Sequence, residues 1–196
     1  MLNLALDRSN GAPLNILCIG SHADDLEIGC GGTMLKLIAA HRNLTVRWVV
    51  FSGNGEREVE ARRSAGKFLE GAEGHIEVKM FRDGFFPYVG YEIKQCFEEL
   101  KGRCSPDLIF THYREDRHQD HRLISDLTWN TFRDHFILEY EIPKYDGDLG
   151  SPNFFVHLDE AICRRKARYR RSVRDAAEAS LVYRGHLPVA AETAGH

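Results

Sequence analysis

The feature that most constrains this chain is an alternation of two kinds of segment. Short, almost uninterrupted apolar runs are separated by longer stretches with apolar residues three and four positions apart. Asn15 to Gly20 (NILCIG), Thr45 to Ser52 and Asp107 to His112 (DLIFTH) are runs of the first kind. A strand buried on both faces has this composition, because neither face needs a polar side chain. His75 to Phe81 alternates Ile76, Val78 and Met80 and reads as a further strand, the third in chain order, which makes Asp107 to His112 the fourth. Between the runs, Gly31 to Arg42, Glu56 to Glu70, Gly90 to Arg103 and His121 to Arg133 have helical spacing. Strand–helix–strand alternation predicts a mostly parallel sheet with helices on both faces and right-handed connections. Ile137 to Ile142 and Asn153 to His157 read as later strands, and Asp159 to Val173 as a basic helix with two acids favourably at its start.

In an open parallel sheet, ligands bind beyond the carboxyl ends of the strands, where strand order reverses. The residues to inspect therefore follow Gly20, Phe51, Phe81 and Phe110. After the first strand comes Ser21-His22-Ala23-Asp24-Asp25, running on to Gly29-Cys30-Gly31-Gly32. After the fourth comes Thr111-His112-Tyr113-Arg114-Glu115-Asp116-Arg117-His118-Gln119-Asp120-His121. A 3-2-1-4-5 strand order makes the first and fourth strands neighbours, and these two loops then face each other.

Imidazole and carboxylate groups converging on one point suit a divalent metal. Zinc in hydrolytic sites takes three protein ligands of this kind and keeps one position open. Mixed nitrogen and oxygen ligands also accept Fe²⁺ or Mn²⁺. His22 and Asp25, three residues apart on one loop, can reach the same ion, and a third ligand from a distant segment closes the site. Asp24 is then free to act as general base toward an attacking water. The glycines from Gly29 to Gly32 are expected to let the backbone turn sharply into the next helix. They match neither the Gly-x-Gly-x-x-Gly nor the Walker pattern of phosphate-binding loops.

Composition narrows the function classes. The chain has 196 residues, 43% hydrophobic and 28% charged, which is ordinary for one globular domain. Its net charge of −3 gives no reason to expect nucleic acid or an anionic membrane as partner. No apolar run approaches the roughly 20 residues of a membrane span, and the segment from Met1 to Ala12 does not read as a secretory leader. The five cysteines form no C-x-x-C pair. Reduced thiols in a cytoplasmic protein are the simplest reading.

The stretch from Ser21 through Gly32, followed at a distance by His118-Gln119-Asp120-His121, resembles the PIG-L/LmbE-like family of zinc-dependent de-N-acetylases. That family's motifs are written His-Pro-Asp-Asp followed by Gly-x-Gly-Gly, and His-x-Asp-His. The resemblance spans roughly residues 14 to 173, supported by Phe51-Ser52-x-Gly, Phe81-Arg82-Asp83-Gly84 and Tyr140-Glu141-Ile142-Pro143-Lys144. It implies a Rossmann-like three-layer α/β sandwich forming a single domain over residues 1–196. It implies His22, Asp25 and His121 as metal ligands and Asp24 as general base. His118 would act at the tetrahedral centre, with Asp120 as its orienting partner. Arg57 and Asp83 fall where the family places contacts to sugar hydroxyls. The implied substrate is a small N-acylated, most simply N-acetylated, amino sugar or glycoconjugate.

Two departures stand out. Ala23 replaces the family's proline, which frees φ at that position without removing a ligand. The end from Ala176 to His196 does not resemble the family's closing segment. Plainer roles are set beside the functional ones: Asp83 as a turn residue with Gly84, Arg57 as an exposed residue at a helix start, His157 as structural within a strand, and His112 as a neighbour of the site rather than a ligand. The basic run Arg164 to Arg174 reads as a solvated helix face. Two other function classes fit parts of the pattern. A sugar- or nucleotide-binding module has no need of both His22 and His121. A metal phosphoesterase would need a second carboxylate-rich site, for which Asp116 and Asp120 are the available groups.

Overall fold

The computed structural model describes Leu6 and residues 11–170. Five strands, β1 (Leu14–Gly20), β2 (Leu44–Val50), β3 (Glu73–Val78), β4 (Leu108–His112) and β5 (Ile137–Tyr140), form one sheet in the order β3-β2-β1-β4-β5. Every strand pair is parallel. The helices are α1 (Asp25–Gly29), α2 (Gly31–Ala40), α3 (Glu56–Phe68), α4 (Gly90–Arg103) and α5 (Gln119–Thr131), with a short 3₁₀ turn at Phe86–Val89. A last helix, α6, covers residues 160–170.

The pleat of β1 divides the core. Ile16 and Cys18 point to the side of α1 to α3, where they meet Leu26, Met34, Trp48 and Phe68. Leu17 and Ile19 point to the other side, toward Phe86, Phe97 and Leu100 and toward Ile124 of α5. Alternate residues of one strand thus feed two separate apolar layers, which is why the run NILCIG contains so little polarity. Fully buried side chains such as Trp48, Phe68 and Phe97 contribute about 1.5–3 kcal/mol each by leaving water.

The strand order and the two-sided helix layers agree with the sequence reading. Three details differ. Residues 153–157 form no strand, because the chain there leaves the sheet edge and crosses onto α2. Lys36 Nζ donates to the His157 carbonyl at 2.6 Å, and Leu158 sits against Gly32. The glycines of the first motif make no left-handed turn, since none of them has a positive φ. They permit close approach instead: a Cβ on Gly29 would lie 2.1 Å from the Tyr140 ring, and one on Gly31 would lie 2.6 Å from Phe68. The basic helix does form over the residues described, with Asp159 Oδ1 accepting the Ile162 amide at 2.8 Å as its cap. Its face is not wholly solvated, because Lys166 Nζ reaches back to the Ile28 carbonyl at 2.7 Å. Residues 171–173, to which the expected helix ran, and the segment 176–196 lie outside the described residues.

Candidate metal centre

β1 and β4 are adjacent at the centre of the sheet, so the loops beyond their carboxyl ends meet. The first loop is short. Its Ser21 amide donates to His112 Nε2 at 3.0 Å, and its His22 amide donates to Asp25 Oδ2 at 2.7 Å. Asp25 opens α1, a five-residue helix that periodicity could not reveal because it holds little more than one turn. The second loop ends at His118, the N-cap of α5, so Asp120 and His121 project from that helix's first turn.

His22 and His121 stand 99 positions apart in sequence, yet His22 Nδ1 is 3.2 Å from His121 Nε2. Asp25 completes the group, with Oδ2 at 3.4 Å from His22 Nδ1 and Oδ1 at 3.5 Å from His121 Nε2. Donors sharing one tetrahedral zinc at about 2.0–2.1 Å stand roughly 3.3 Å apart, so these atoms fit such an ion. The outer nitrogens of both rings are taken. His22 Nε2 faces Asp120 Oδ2 at 3.2 Å and Asp83 Oδ1 at 3.1 Å, and His121 Nδ1 faces Asp116 Oδ2 at 3.0 Å. When both rings are neutral with their protons on the carboxylate side, each turns a lone pair inward, and a cation fits between the two nitrogens. Other sets of three ligating groups also fall together here, His22–His118–His121 and Asp25–His112–His121 among them.

Without an ion, the surrounding carboxylates favour positive charge on His22 itself. Burial works to lower the His22 pKa, but hydrogen bonds to Asp120 and Asp25 and the fields of Asp25 and Asp83 overcome it and hold the ring at about 10. Burial likewise opposes the charge on Asp25. The field of His112 and hydrogen bonds to His112, His121 and His22 nonetheless keep its carboxyl well below the usual range. Asp24 goes the other way. It opens to the cleft, and desolvation together with the field of Asp25 raises its carboxyl above the ordinary value. Burial, then the nearby His121 and His22, lower His118. His112 is pressed flat against His121, ring centroids 4.0 Å apart, and burial drives it down to about 4.

A cleft of about 550 Å³ opens over these atoms. Of the eight residues singled out from sequence, His22, Asp24, Asp25, His118, His121, Arg57 and Asp83 line it. Asp120 stands behind, fully buried. Its carboxylate does not face the His118 ring. It accepts the amides of Gly84 at 2.7 Å and Phe86 at 3.1 Å, and faces His22. The orienting contact expected for His118 thus falls on His22, because Asp120 points from α5 toward the loop that follows β3. His118 Nδ1 accepts the Asp120 amide at 3.2 Å instead, which leaves a neutral His118 ring with its proton on Nε2. Asp83 serves both as a turn residue beside Gly84, whose φ of 79° favours glycine, and as a partner of His22. Arg57 Nη1 lies 3.8 Å from Asp83 Oδ2. Asp116 and Asp120, the groups a second metal would need, are both engaged by histidines. Two further participants had no role assigned from sequence, although both stand in the Tyr140-to-Lys144 stretch that supports the resemblance. Tyr140 packs against Gly29 at the root of α1, and Lys144 holds Asp116 from the far side at 2.8 Å. The five-residue spacing of Asp116 and His121 was visible, whereas no spacing ties Lys144 to Asp116.

All five cysteines are free. No helix among the described residues is long and apolar enough to cross a membrane.

Comparison with known proteins agrees with this arrangement. The family model described as PIG-L, GlcNAc-PI de-N-acetylase, matches residues 17–132, more than half of the chain. The chain is 29% identical over 156 residues to the uncharacterized deacetylase YaiS of Escherichia coli (strain K12), covering 74% of this chain and 82% of that protein. Among solved structures it superposes on the N,N'-diacetylchitobiose deacetylase of Pyrococcus horikoshii with a TM-score of 0.59 at 22% identity, over 86% of this chain and 73% of that one. It superposes on the zinc-inhibited form of the teicoplanin deacetylase Orf2 with a TM-score of 0.65 at 12% identity, over 82% and 84%. These likenesses establish a shared fold, and the family match together with the paired motifs establishes kinship: the chain belongs to the PIG-L family of de-N-acetylases.

Proposed function

We propose that this chain is a divalent-metal-dependent hydrolase that removes the acetyl group from the nitrogen of an amino sugar, such as an N-acetylglucosamine conjugate. The observation that carries the reading is the convergence of three ligating groups from distant segments, His22 Nδ1 and His121 Nε2 at 3.2 Å with Asp25 beside both. A sugar-binding module has no use for that arrangement. Held by His22, Asp25 and His121, a zinc ion would polarise the amide carbonyl and make a neighbouring water more acidic. The ligand types favour zinc, with Fe²⁺ and Mn²⁺ as alternatives.

The chain's own residues supply the rest. Asp24, its carboxyl raised by burial and by Asp25, takes a proton from the attacking water. His118 offers Nε2–H to the oxygen on which charge develops, the contact that usually matters most in amide hydrolysis. The C–N bond then breaks, and the proton passes to the departing nitrogen from Asp24 directly or through His118, leaving a free amine and acetate. Arg57 and Asp83 line the cleft, which supports a role for them in contacting sugar hydroxyls. Five free cysteines suit a reducing compartment, and the cytoplasm is the location we propose.

Metal analysis coupled to a free-amine assay on a panel of N-acetylglucosamine conjugates tests this reading. We expect about one divalent ion per chain, activity lost on chelation and restored by zinc. Protein with far less metal that keeps its activity in chelator would sink the proposal.

A further inference from the structure

We propose that Lys144 is a positioning residue for His121, acting through Asp116; the inference rests on the reading of His121 as a metal ligand. His121 can present a lone pair from Nε2 only while its proton stays on Nδ1, and Asp116 Oδ2 is the acceptor that keeps it there, at 3.0 Å. The aim of the ligand therefore depends on where that oxygen stands.

Asp116 lies on the loop between β4 and α5, outside any regular element, yet it is only 2% exposed. Rotation of a carboxylate about its last torsion is soft, so an isolated Asp116 would not hold one oxygen on the ring. Two contacts hold it. Oδ1 accepts the His118 amide at 2.7 Å. Oδ2 accepts Lys144 Nζ at 2.8 Å, and so receives the lysine and the imidazole together. The same ammonium lies 2.6 Å from Asp148 Oδ2, which in turn accepts the Arg117 amide at 2.6 Å. Without the lysine, two buried carboxylates would face each other and Asp116 would be driven to a new rotamer.

This gives a physical role to an otherwise irregular part of the chain. Residues 141–159 form neither helix nor strand. So long a loop within a compact domain is ordinarily either functional or a linker. Here it delivers one charged group to the back of the candidate metal centre, on the side away from the cleft.

The test measures zinc affinity by competition with a chromophoric chelator, a readout independent of deacetylation. Lys144→Met should weaken zinc binding by up to about 10- to 100-fold, the usual cost of losing the ligand's outer partner, here Asp116, which the lysine holds in place. Lys144→Arg keeps the charge and should come within about threefold of the natural chain. Asp148→Asn, which loosens the loop but leaves the lysine on Asp116, should also stay within about threefold. In an Asp116→Asn background, Lys144→Met should cause no further loss, because the two act in series. In nitrogen NMR of the metal-free protein, Lys144→Met should shift His121 from one Nδ1–H tautomer to a mixture. If Lys144→Met does not fold, Lys144→Gln takes its place in every comparison. Unchanged zinc affinity and tautomer in the lysine variants overturns the relay, as does an equal loss in the Asp116→Asn background or an equal loss with Asp148→Asn. If the natural chain takes up no zinc, the reading of the site falls, and the relay with it.

Discussion

The two loops that build the site are held in different ways. The loop after β1 is held by its own hydrogen bond and by the strands beside it: the His22 amide meets Asp25, the Ser21 amide meets His112 of β4, and α1 is pressed against Tyr140 of β5. The loop after β4 has local contacts too, the His118 amide on Asp116 and Arg122 on the Asp116 carbonyl at 3.1 Å, but its charges are met by an irregular segment, Lys144 on Asp116 and Asp148 on the Arg117 amide. The short loop is ordered by itself and by regular strands, whereas the longer one takes part of its order from a segment that has no regular structure of its own. Changes in the first loop should therefore act on chemistry or packing where they are made. Changes supporting the second should act at a distance.

The largest expected effect separates two neighbours within the first loop. Asp25→Ala deletes a proposed ligand and should remove both metal and turnover. Asp24→Ala should keep the metal and lower kcat by roughly 10²–10⁴-fold, the usual worth of a general base, with little change in KM. Zinc content and steady-state kinetics of the two variants decide the point. Full turnover in Asp24→Ala, or retained zinc in Asp25→Ala, would reverse the roles.

A smaller effect tests whether the first loop owes its rigidity to packing. The Tyr140 ring cannot swing away from Gly29, because its hydroxyl donates to the Ile19 carbonyl at 2.8 Å in the central strand. Gly29→Ala should therefore cost about 1–3 kcal/mol in chemical denaturation, the range for an overpacked core. A variant as stable as the natural chain would mean that α1 shifts freely, and the contrast between the loops would weaken.

The smallest effect belongs to the rim. The Arg57 side chain is 71% exposed and its partner Asp83 is 50% exposed. Arg57→Ala should raise KM roughly two- to fivefold with kcat nearly unchanged, since exposed charged contacts contribute at most about 1 kcal/mol. A large fall in kcat would place Arg57 among the groups that act in the transition state.

The same contrast explains what could be read from sequence. Strand order and helix placement were legible because β1, β2 and β4 are apolar runs and each long helix has an apolar stripe; α4 spans Gly90–Arg103, the same bounds that periodicity gives, whereas the edge strand β3, with no buried residue, forms over Glu73–Val78 rather than His75 to Phe81. The His22-Ala23-Asp24-Asp25 group was legible because its members are local. The partner of Asp120 was not, because the choice between His118 and His22 depends on how the loop after β3 folds over α5. Lys144 was visible only as the end of a stretch shared with the family; its partner was not legible, because no spacing ties a lysine in an irregular segment to Asp116. Residues 153–157 have the composition of a strand, but a strand needs a neighbour, and nothing in the run NFFVH shows that the chain has already left the sheet.

The adjacency of β1 and β4 also has a kinetic consequence. His22 emerges early from the ribosome and His121 about a hundred residues later, with β2, β3, β4 and the helices α1 to α4 between them. Parallel pairing across such a separation is slow, because a large loop must close before any contact rewards it. The nascent chain therefore has a half-site, with His22 and Asp25 present, until β4 takes its place beside β1. Any ion captured at completion binds only the folded state and adds to its stability by mass action. Metal uptake would then mark the end of folding.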